Sequence, residues 1–129
     1  MLLIKNGYIK TMAGPDIENG SILIGNDGKI AAVGKDLSVL EGCTILDAEG
    51  RLVTPGLVEA HCHIGLHNEA VGWEGMDYNE GIDPITPQMR AIDSIYPLDE
   101  AFEHARKGGV TTCCTGPGSA NVLGGTFVA

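Results

Sequence analysis

The sequence predicts a fold of the α/β plus β class, with a small β-sheet unit over residues 1–54 followed by a parallel β-α-β unit over residues 55–129. Three observations lead to this prediction. Glycine-containing turns divide the first part into short apolar segments with no convincing helix. The turn Pro55-Gly56 then introduces a near-continuous apolar run, and an amphipathic helix precedes a second run of this kind.

The first part is predicted to consist of short strands at Met1–Lys5, Tyr8–Met12, Ser21–Gly25, Ile30–Gly34, Cys43–Ala48 and Arg51–Thr54. Asn6-Gly7 lies between the first two, and Asn-Gly is the dipeptide favoured in a type I′ hairpin turn. The run Asn26-Asp27-Gly28-Lys29 is a second hairpin signal. We therefore expect a small antiparallel sheet that forms part of a β-sandwich.

The second part begins with the apolar run Leu57–Ile64, which is typical of a strand that is buried on both faces. A long stretch rich in Gly, Asp and Asn follows at Gly65–Pro84, and loops of this length are often functional. Within the ambiguous segment Ile85–Tyr96, residues Gln88–Ile95 form a weaker helix prediction.

The clearest helix is predicted at Leu98–Lys107, where Leu98, Ala101, Phe102 and Ala105 follow the spacing of one buried face. The run Val110–Thr115 is predicted as a second buried strand, so the order strand, helix, strand indicates a right-handed crossover between parallel strands. Two strands and one helix cannot bury both faces of a sheet. We therefore expect a truncated unit, covered by further chain segments or by another molecule.

Composition excludes several classes of function. The 8 basic and 17 acidic residues give a formal net charge of −9, which argues against a nucleic acid partner. No apolar run approaches the ~20 residues of a membrane span, and the start of the chain does not resemble a signal peptide. The four cysteines show no paired framework. Reduced thiols and a cytoplasmic location are therefore predicted.

Two histidines at the end of the first parallel strand are the candidate metal ligands. Side chains alternate along a strand, so His61 and His63 project from the same face, about 7 Å apart along the strand, while Cys62 points to the other face. Chemistry in α/β folds is located at this carboxyl end of a strand. The spacing indicates half of a divalent metal site. The alternative is a pair of surface or partly buried imidazoles without a ligand.

The segment Thr54–His63, TPGLVEAHCH, closely resembles the first barrel strand of the amidohydrolase superfamily, which are metal-dependent hydrolases built on a (β/α)8 TIM-type barrel. The preceding strands, ending in residues 46–53, resemble the N-terminal β-sandwich segment of that family. Two later stretches, residues 83–91 and 115–121, are similar to the imidazolonepropionase-related branch. The resemblance covers nearly the whole chain.

This resemblance implies that His61 and His63 bind one or two divalent metal ions, commonly zinc. In the family, the metal activates a water that attacks a non-peptide C–N bond of a small-molecule substrate, such as a cyclic amide. The family's remaining ligands and its catalytic aspartate come from later strands that have no counterpart in this sequence. We therefore expect an N-terminal fragment that contains no catalytic residue, binds metal weakly or not at all, and is inactive alone.

Four other residues are weaker site candidates. Glu59 shares the face of the two histidines and is predicted to hydrogen-bond beneath them, with a solvated carboxylate as the alternative. His67 in the long loop, and Ser119 and Asn121 after the second strand, are candidate substrate contacts. Their alternatives are a surface histidine and ordinary turn chemistry.

A second class of function remains open from the sequence. In this alternative the chain is a non-enzymatic assembly or binding module. Its exposed sheet edges would pair with missing segments, with a partner or with a second copy of the chain. Stoichiometric zinc binding that depends on the two histidines distinguishes the enzyme hypothesis from this one.

Overall fold

The computed structural model describes residues 1–129 and divides the chain into two compact units, Met1–Pro55 and Gly56–Ala129. The first unit contains one five-stranded sheet. Its strands are β1 Leu2–Ile9, β2 Ile17–Ile24, β3 Ile30–Gly34, β4 Thr44–Asp47 and β5 Leu52–Val53. The assignment of this unit to a β-sandwich domain and of the following unit to a barrel remains a prediction.

The sheet of the first unit is mixed, so the expectation of an antiparallel sheet is wrong. Its strands follow the order β3-β2-β1-β4, and β5 also pairs with β1. The pairs β1–β2 and β2–β3 are antiparallel, whereas β4 and β5 run parallel to β1. The reason is that the chain crosses from one edge of the sheet to the other between β3 and β4, and a crossover connection permits parallel pairing.

The predicted hairpin at Asn6-Gly7 is also wrong, because β1 runs through this dipeptide without reversing. Asn6 has a φ of 57°, and Asn19 in β2 has a φ of 50°. Gly7 pairs with Gly20, and the register shifts by one residue on either side of this pair. Each Asn-Gly dipeptide therefore supplies the left-handed residue of an irregularity in the strand pairing, of the β-bulge type. The second hairpin prediction agrees with the structure, where Gly25 N–H donates to the Lys29 carbonyl at 2.9 Å.

The second unit contains a two-stranded parallel sheet formed by β6 Leu57–Cys62 and β7 Val110–Thr115. Both strands lie where the apolar runs predicted them. The predicted burial of β6 on both faces is wrong, since Leu57 and Val58 are 56% and 67% exposed. Two strands and one helix offer too little apolar surface to cover both faces of the sheet.

One α-helix, α1 Glu100–Lys107, lies between these strands in the chain. It begins two residues later than predicted, because Asp99 has an extended backbone and caps the helix by accepting a hydrogen bond from Ala101 N–H at 3.1 Å. Leu98 consequently lies outside the helix and is 76% exposed rather than part of its buried face. Neither this helix nor any other in the chain has the length and apolar character needed to cross a membrane.

The predicted helix at Gln88–Ile95 is reduced to a single 3-10 turn at Ala91–Asp93. The backbone just before it is paired with the C-terminal segment instead. Ala91 N–H donates to the Thr126 carbonyl at 3.0 Å, and Thr126 N–H donates to the Met89 carbonyl at 2.9 Å. These bonds keep residues 89 and 90 extended, so a helix cannot begin there.

We expect Asp99→Ala to destabilise the second unit. Asp99 is 3% exposed, and besides capping α1 it accepts a hydrogen bond from Gly65 N–H at 3.1 Å. Loss of the cap costs about 1–2 kcal/mol, and the unpaired Gly65 N–H adds a cost of about 1–3 kcal/mol. Urea unfolding followed by circular dichroism measures the change. Asp99→Asn keeps one acceptor oxygen and should lower the free energy of unfolding by less than Asp99→Ala does. Equal losses of stability in the two variants would contradict this explanation.

Candidate functional site

The end of β6 brings the two predicted metal ligands together. The ring centroids of His61 and His63 are 5.4 Å apart, and the ring planes make an angle of 80°. His61 is exposed and His63 is half-buried. Cys62, between them, directs its Sγ toward the carbonyl oxygen of Cys114 at 3.6 Å. The two imidazoles are therefore neighbours, closer than simple strand spacing predicts.

A backbone carbonyl is the hydrogen-bond partner of the His63 ring. His63 Nδ1 lies 2.6 Å from the carbonyl oxygen of Gly116, which directly follows β7. A carbonyl oxygen can only accept, so Nδ1 carries the hydrogen, and in the neutral ring Nε2 keeps its lone pair. Histidines that bind metals commonly donate their other ring N–H to a carbonyl or carboxylate in this way. The arrangement leaves the Nε2 lone pair of His63 free to bind a ligand.

Further bonds tie the carboxyl ends of β6 and β7 to each other. Thr115, a buried residue, donates from Oγ1 to the Ile64 carbonyl at 2.8 Å. Gly116 N–H donates to the Cys62 carbonyl at 3.1 Å. The position of the Gly116 carbonyl relative to the His63 ring is therefore set by the pairing of the two strands.

Each imidazole also contacts an aromatic ring that the sequence analysis did not identify. Tyr78 stacks on His63 with centroids 5.0 Å apart and planes at 13°, and Phe127 contacts His61 at 5.0 Å and 48°. Glycines make room for both rings. A Cβ on Gly116 would overlap the Phe127 ring, and one on Gly118 would approach Tyr78 Cδ2 to 2.8 Å. The run Gly-Pro-Gly after β7 is the available sequence signal for this close packing.

Glu59 and His67 lie beside this pair. Glu59 is exposed, and its Oε1 accepts a hydrogen bond from the backbone N–H of His61 at 3.1 Å. His67 is half-buried, donates its backbone N–H to the His63 carbonyl at 3.2 Å, and has its ring 5.8 Å from that of Tyr78. Both residues contact the candidate site through backbone groups of the two histidines.

Ser119 and Asn121 differ in their surroundings. Ser119 is exposed in the turn after β7. Asn121 is half-buried and donates from Nδ2 to Thr86 Oγ1 at 2.9 Å and to the Asp83 carbonyl at 3.3 Å, which holds the loop segments together. Asn121 and Tyr78 both line a cavity of about 250 Å³ in this unit. Their assignment as substrate contacts remains a prediction.

Cys113 in β7 is not an activated thiol. Burial, together with the neighbouring Cys62 thiol, raises the pKa of Cys113 above its ordinary value. A raised pKa leaves less of the reactive thiolate at neutral pH. Cys113 therefore has the character of a structural residue.

The donor set of the site fits part of a metal site. Imidazole nitrogens suit zinc and similar ions, and the His63 tautomer is the one required for binding through Nε2. The chain contains no group of three or more His, Cys, Asp or Glu side chains placed to hold an ion together. A closed zinc site needs four ligands. The two imidazoles can accordingly act only as part of a larger ligand set.

Comparison with curated proteins identifies relatives over much of the chain. It is 46% identical over 88 residues to the amidohydrolase tasK of Hapsidospora irregularis, a match covering 67% of the chain and 9% of that protein. It is 32% identical over 122 residues to a dihydroorotase of Ruminiclostridium cellulolyticum, covering 95% and 23%. An allantoinase of Bacillus licheniformis is 41% identical over 83 residues, covering 58% and 16%. No family model matches the chain.

Comparison with solved structures gives a similar result. An amidohydrolase from Thermotoga maritima superposes with a TM-score of 0.88 at 38% identity, over 98% of this chain and 32% of that one. A molinate hydrolase superposes with a TM-score of 0.58 at 26% identity, over 87% and 23%. The chain thus spans a quarter or less of the length of these curated relatives, and about a third of the Thermotoga protein.

Proposed function

Because the chain belongs to the amidohydrolase superfamily, we propose that His61 and His63 are two ligands of a divalent metal ion, zinc, in a hydrolase that acts on a non-peptide C–N bond. The observation that carries this proposal is the hydrogen bond between His63 Nδ1 and the Gly116 carbonyl, which prepares Nε2 for coordination. The Thermotoga amidohydrolase, similar over 98% of the chain, supports it. We propose that the second unit is the first β-α-β element of a TIM-type barrel.

The role of the chain's own residues follows from this geometry. β6 presents the two imidazoles from the carboxyl end of a parallel strand, and β7 supplies the carbonyl that orients His63. The chemistry that a bound divalent ion supplies in such a site is the activation of water for attack on a carbonyl or ring carbon. In the substrate class we propose, a cyclic amide, this attack opens the ring at the C–N bond. Names among the relatives, such as dihydroorotase and allantoinase, support this class.

The two imidazoles do not suffice for turnover. Catalysis requires enough fixed groups to orient both the attacking water and the substrate, and no third side chain of a metal-binding type joins the pair. We propose that the remaining ligands and the group that moves the proton come from polypeptide beyond residues 1–129. The 129-residue chain alone is therefore expected to be inactive.

The finer assignment to the imidazolonepropionase-related branch is also a proposal. The two segments that carry this resemblance, residues 83–91 and 115–121, lie against each other in the second unit. Asn121 Nδ2 donates to the Asp83 carbonyl at 3.3 Å and to Thr86 Oγ1 at 2.9 Å. Contact between these two segments supports the proposal that both contribute to the same site. A cytoplasmic location remains part of this proposal.

Equilibrium dialysis of the purified chain against zinc, with a parallel assay on cyclic amides, tests the proposal. We expect stoichiometric but weak zinc binding and no hydrolysis, because only part of the ligand set is present. If a variant with both histidines replaced by alanine bound zinc as tightly as the wild type, the proposed metal site would be contradicted. Turnover by the purified chain would contradict the proposed need for further residues.

The assembly module is a second candidate, favoured by one observation. Leu57 and Val58 are more than half exposed on β6, and the sheet that contains them has only two strands. An exposed apolar strand is a surface on which another strand or a second copy of the chain can pair. A chain that binds no zinc even when joined to downstream sequence would favour this candidate over the hydrolase.

A further inference from the structure

Tyr78 lies against the face of the imidazole that the metal proposal depends on most. Its ring is nearly parallel to that of His63, with centroids 5.0 Å apart and planes at 13°. Aromatic pairs in this range of separations contribute about 0.5–1.5 kcal/mol beyond the area they bury. The contact is between residues of different segments, since Tyr78 belongs to the long stretch after β6 and His63 directly follows the last residue of that strand.

The Tyr78 ring is held in place from the β7 side. The Tyr78 carbonyl accepts a hydrogen bond from Gly118 N–H at 2.6 Å. A Cβ at Gly118 would approach Tyr78 Cδ2 to 2.8 Å, so only glycine allows the loop to lie this close. The same turn therefore contacts both residues. The Gly116 carbonyl accepts from His63 Nδ1, and Gly118 N–H donates to the backbone of Tyr78, whose ring stacks on His63.

The remaining freedom of the His63 ring is rotation about the bond that joins it to its Cβ. That torsion is broad for histidine, so one hydrogen bond leaves the ring free to turn away. The nearly parallel Tyr78 ring stacks on one face of the imidazole, with centroids 5.0 Å apart, so rotation of the imidazole would lose this stacking contact. His61 makes an edge contact with the His63 ring, with the two ring planes at 80°, and is not stacked on it.

We propose that Tyr78 is a positioning residue, which holds the His63 ring with Nδ1 on the Gly116 carbonyl and Nε2 free for coordination. Tyr78 acts through His63 and does not touch the metal. Its aromatic face is the part that matters, since the ring makes the stacking contact with His63 whereas the hydroxyl contacts the Met76 sulfur at 3.9 Å. This inference rests on the proposed metal site, but its effect on the tautomer of His63 can be measured in the metal-free chain.

The test uses the full chain, metal-free, with ¹⁵N-labelled histidine. Long-range ¹H–¹⁵N spectra at a pH where the imidazoles are neutral report which ring nitrogen of His63 carries the hydrogen. We expect a single Nδ1–H tautomer in the wild type and in Tyr78→Phe, and a mixture of tautomers in Tyr78→Leu. Tyr96→Leu is the matched control, because Tyr96 contacts neither imidazole ring. A single tautomer in Tyr78→Leu, or a mixture in Tyr78→Phe, would overturn the proposal.

Titration with Co²⁺ alone gives the second readout. We expect Tyr78→Leu to weaken Co²⁺ binding about tenfold, the lower end of the range for residues that orient metal ligands, while Tyr78→Phe and Tyr96→Leu bind as the wild type does. Failure of the wild type to bind Co²⁺ through its histidines contradicts the metal site, whereas an unchanged His63 tautomer contradicts only the role of Tyr78.

One measurement needs no variant and covers the case in which Tyr78→Leu does not fold. In the wild-type chain, a stacked tyrosine shifts the His63 ring protons upfield through its ring current. We expect this shift together with nuclear Overhauser contacts between the two rings. Their absence would overturn the proposal on its own.

Discussion

Replacing His63 with alanine is expected to reduce the zinc affinity of the chain by at least ~100-fold. Loss of a residue that only hydrogen-bonds to a metal ligand already reduces metal affinity by up to about 100-fold, and loss of a ligand should cost no less. The reason is that the variant keeps a single imidazole, whereas the proposed site uses two neighbouring rings, with centroids 5.4 Å apart, to bind one ion. His61→Ala should have a similar effect. The double variant should bind no more weakly than either single variant, because a pair acting as one chelate is lost with its first member.

His104→Ala is the matched control for these variants. His104 lies on α1, is exposed, and is not a member of the imidazole pair. Isothermal titration calorimetry with zinc, on variants whose circular dichroism matches the wild type, measures the effect. An equal loss of affinity in His104→Ala would indicate non-specific binding to surface histidines. Additive losses from His61→Ala and His63→Ala would contradict a shared ion.

The second large effect is expected from Gly125→Ala. A Cβ at this position would overlap the carbonyl oxygen and carbon of Met89, which are backbone atoms and cannot turn aside as a side chain can. The same stretch is paired through the hydrogen bond from Thr126 N–H to the Met89 carbonyl, at 2.9 Å. Overpacking against a fixed backbone costs about 1–3 kcal/mol. The C-terminal segment should then separate from residues 89–91 and loosen the contact between Phe127 and His61.

Gly124→Ala provides the neighbouring control. A Cβ there would meet only Pro117 Cβ at 3.7 Å, an ordinary van der Waals distance. Urea unfolding should show a clear loss of stability for Gly125→Ala and little change for Gly124→Ala. If the two alanine variants had the same free energy of unfolding, the close approach of the C-terminal segment to Met89 would be contradicted.

The elements that could be predicted from sequence are those whose signal is local. The apolar run before His61 predicts a strand, and β6 confirms it. His63 directly follows this strand, and its ring lies 5.4 Å from that of His61. Val110–Thr115 is also a strand, as predicted. The Asn6-Gly7 hairpin failed because a left-handed asparagine is required equally by a turn and by an irregularity in strand pairing. Only the pairing of Gly7 with Gly20 distinguishes the two.

The surroundings of the imidazoles were beyond sequence reasoning because they arise from contacts between distant segments. Tyr78, which contacts His63, lies 15 positions further along the chain, and Phe127 contacts His61 from the C-terminal segment. Neither ring is marked by periodicity or by a motif. The Gly116 carbonyl is a backbone group, which the identity of a residue does not reveal. The sequence therefore predicts the candidate ligands, and the structure adds the groups that surround them.

Anomalous diffraction from crystals of the chain grown with zinc tests the central claim most directly. The account predicts one peak shared by a ring nitrogen of His61 and by Nε2 of His63, each at about 2.0–2.1 Å, with His63 Nδ1 still on the Gly116 carbonyl. A zinc peak bound by only one of these histidines, or a His63 ring that coordinates through Nδ1, would contradict it.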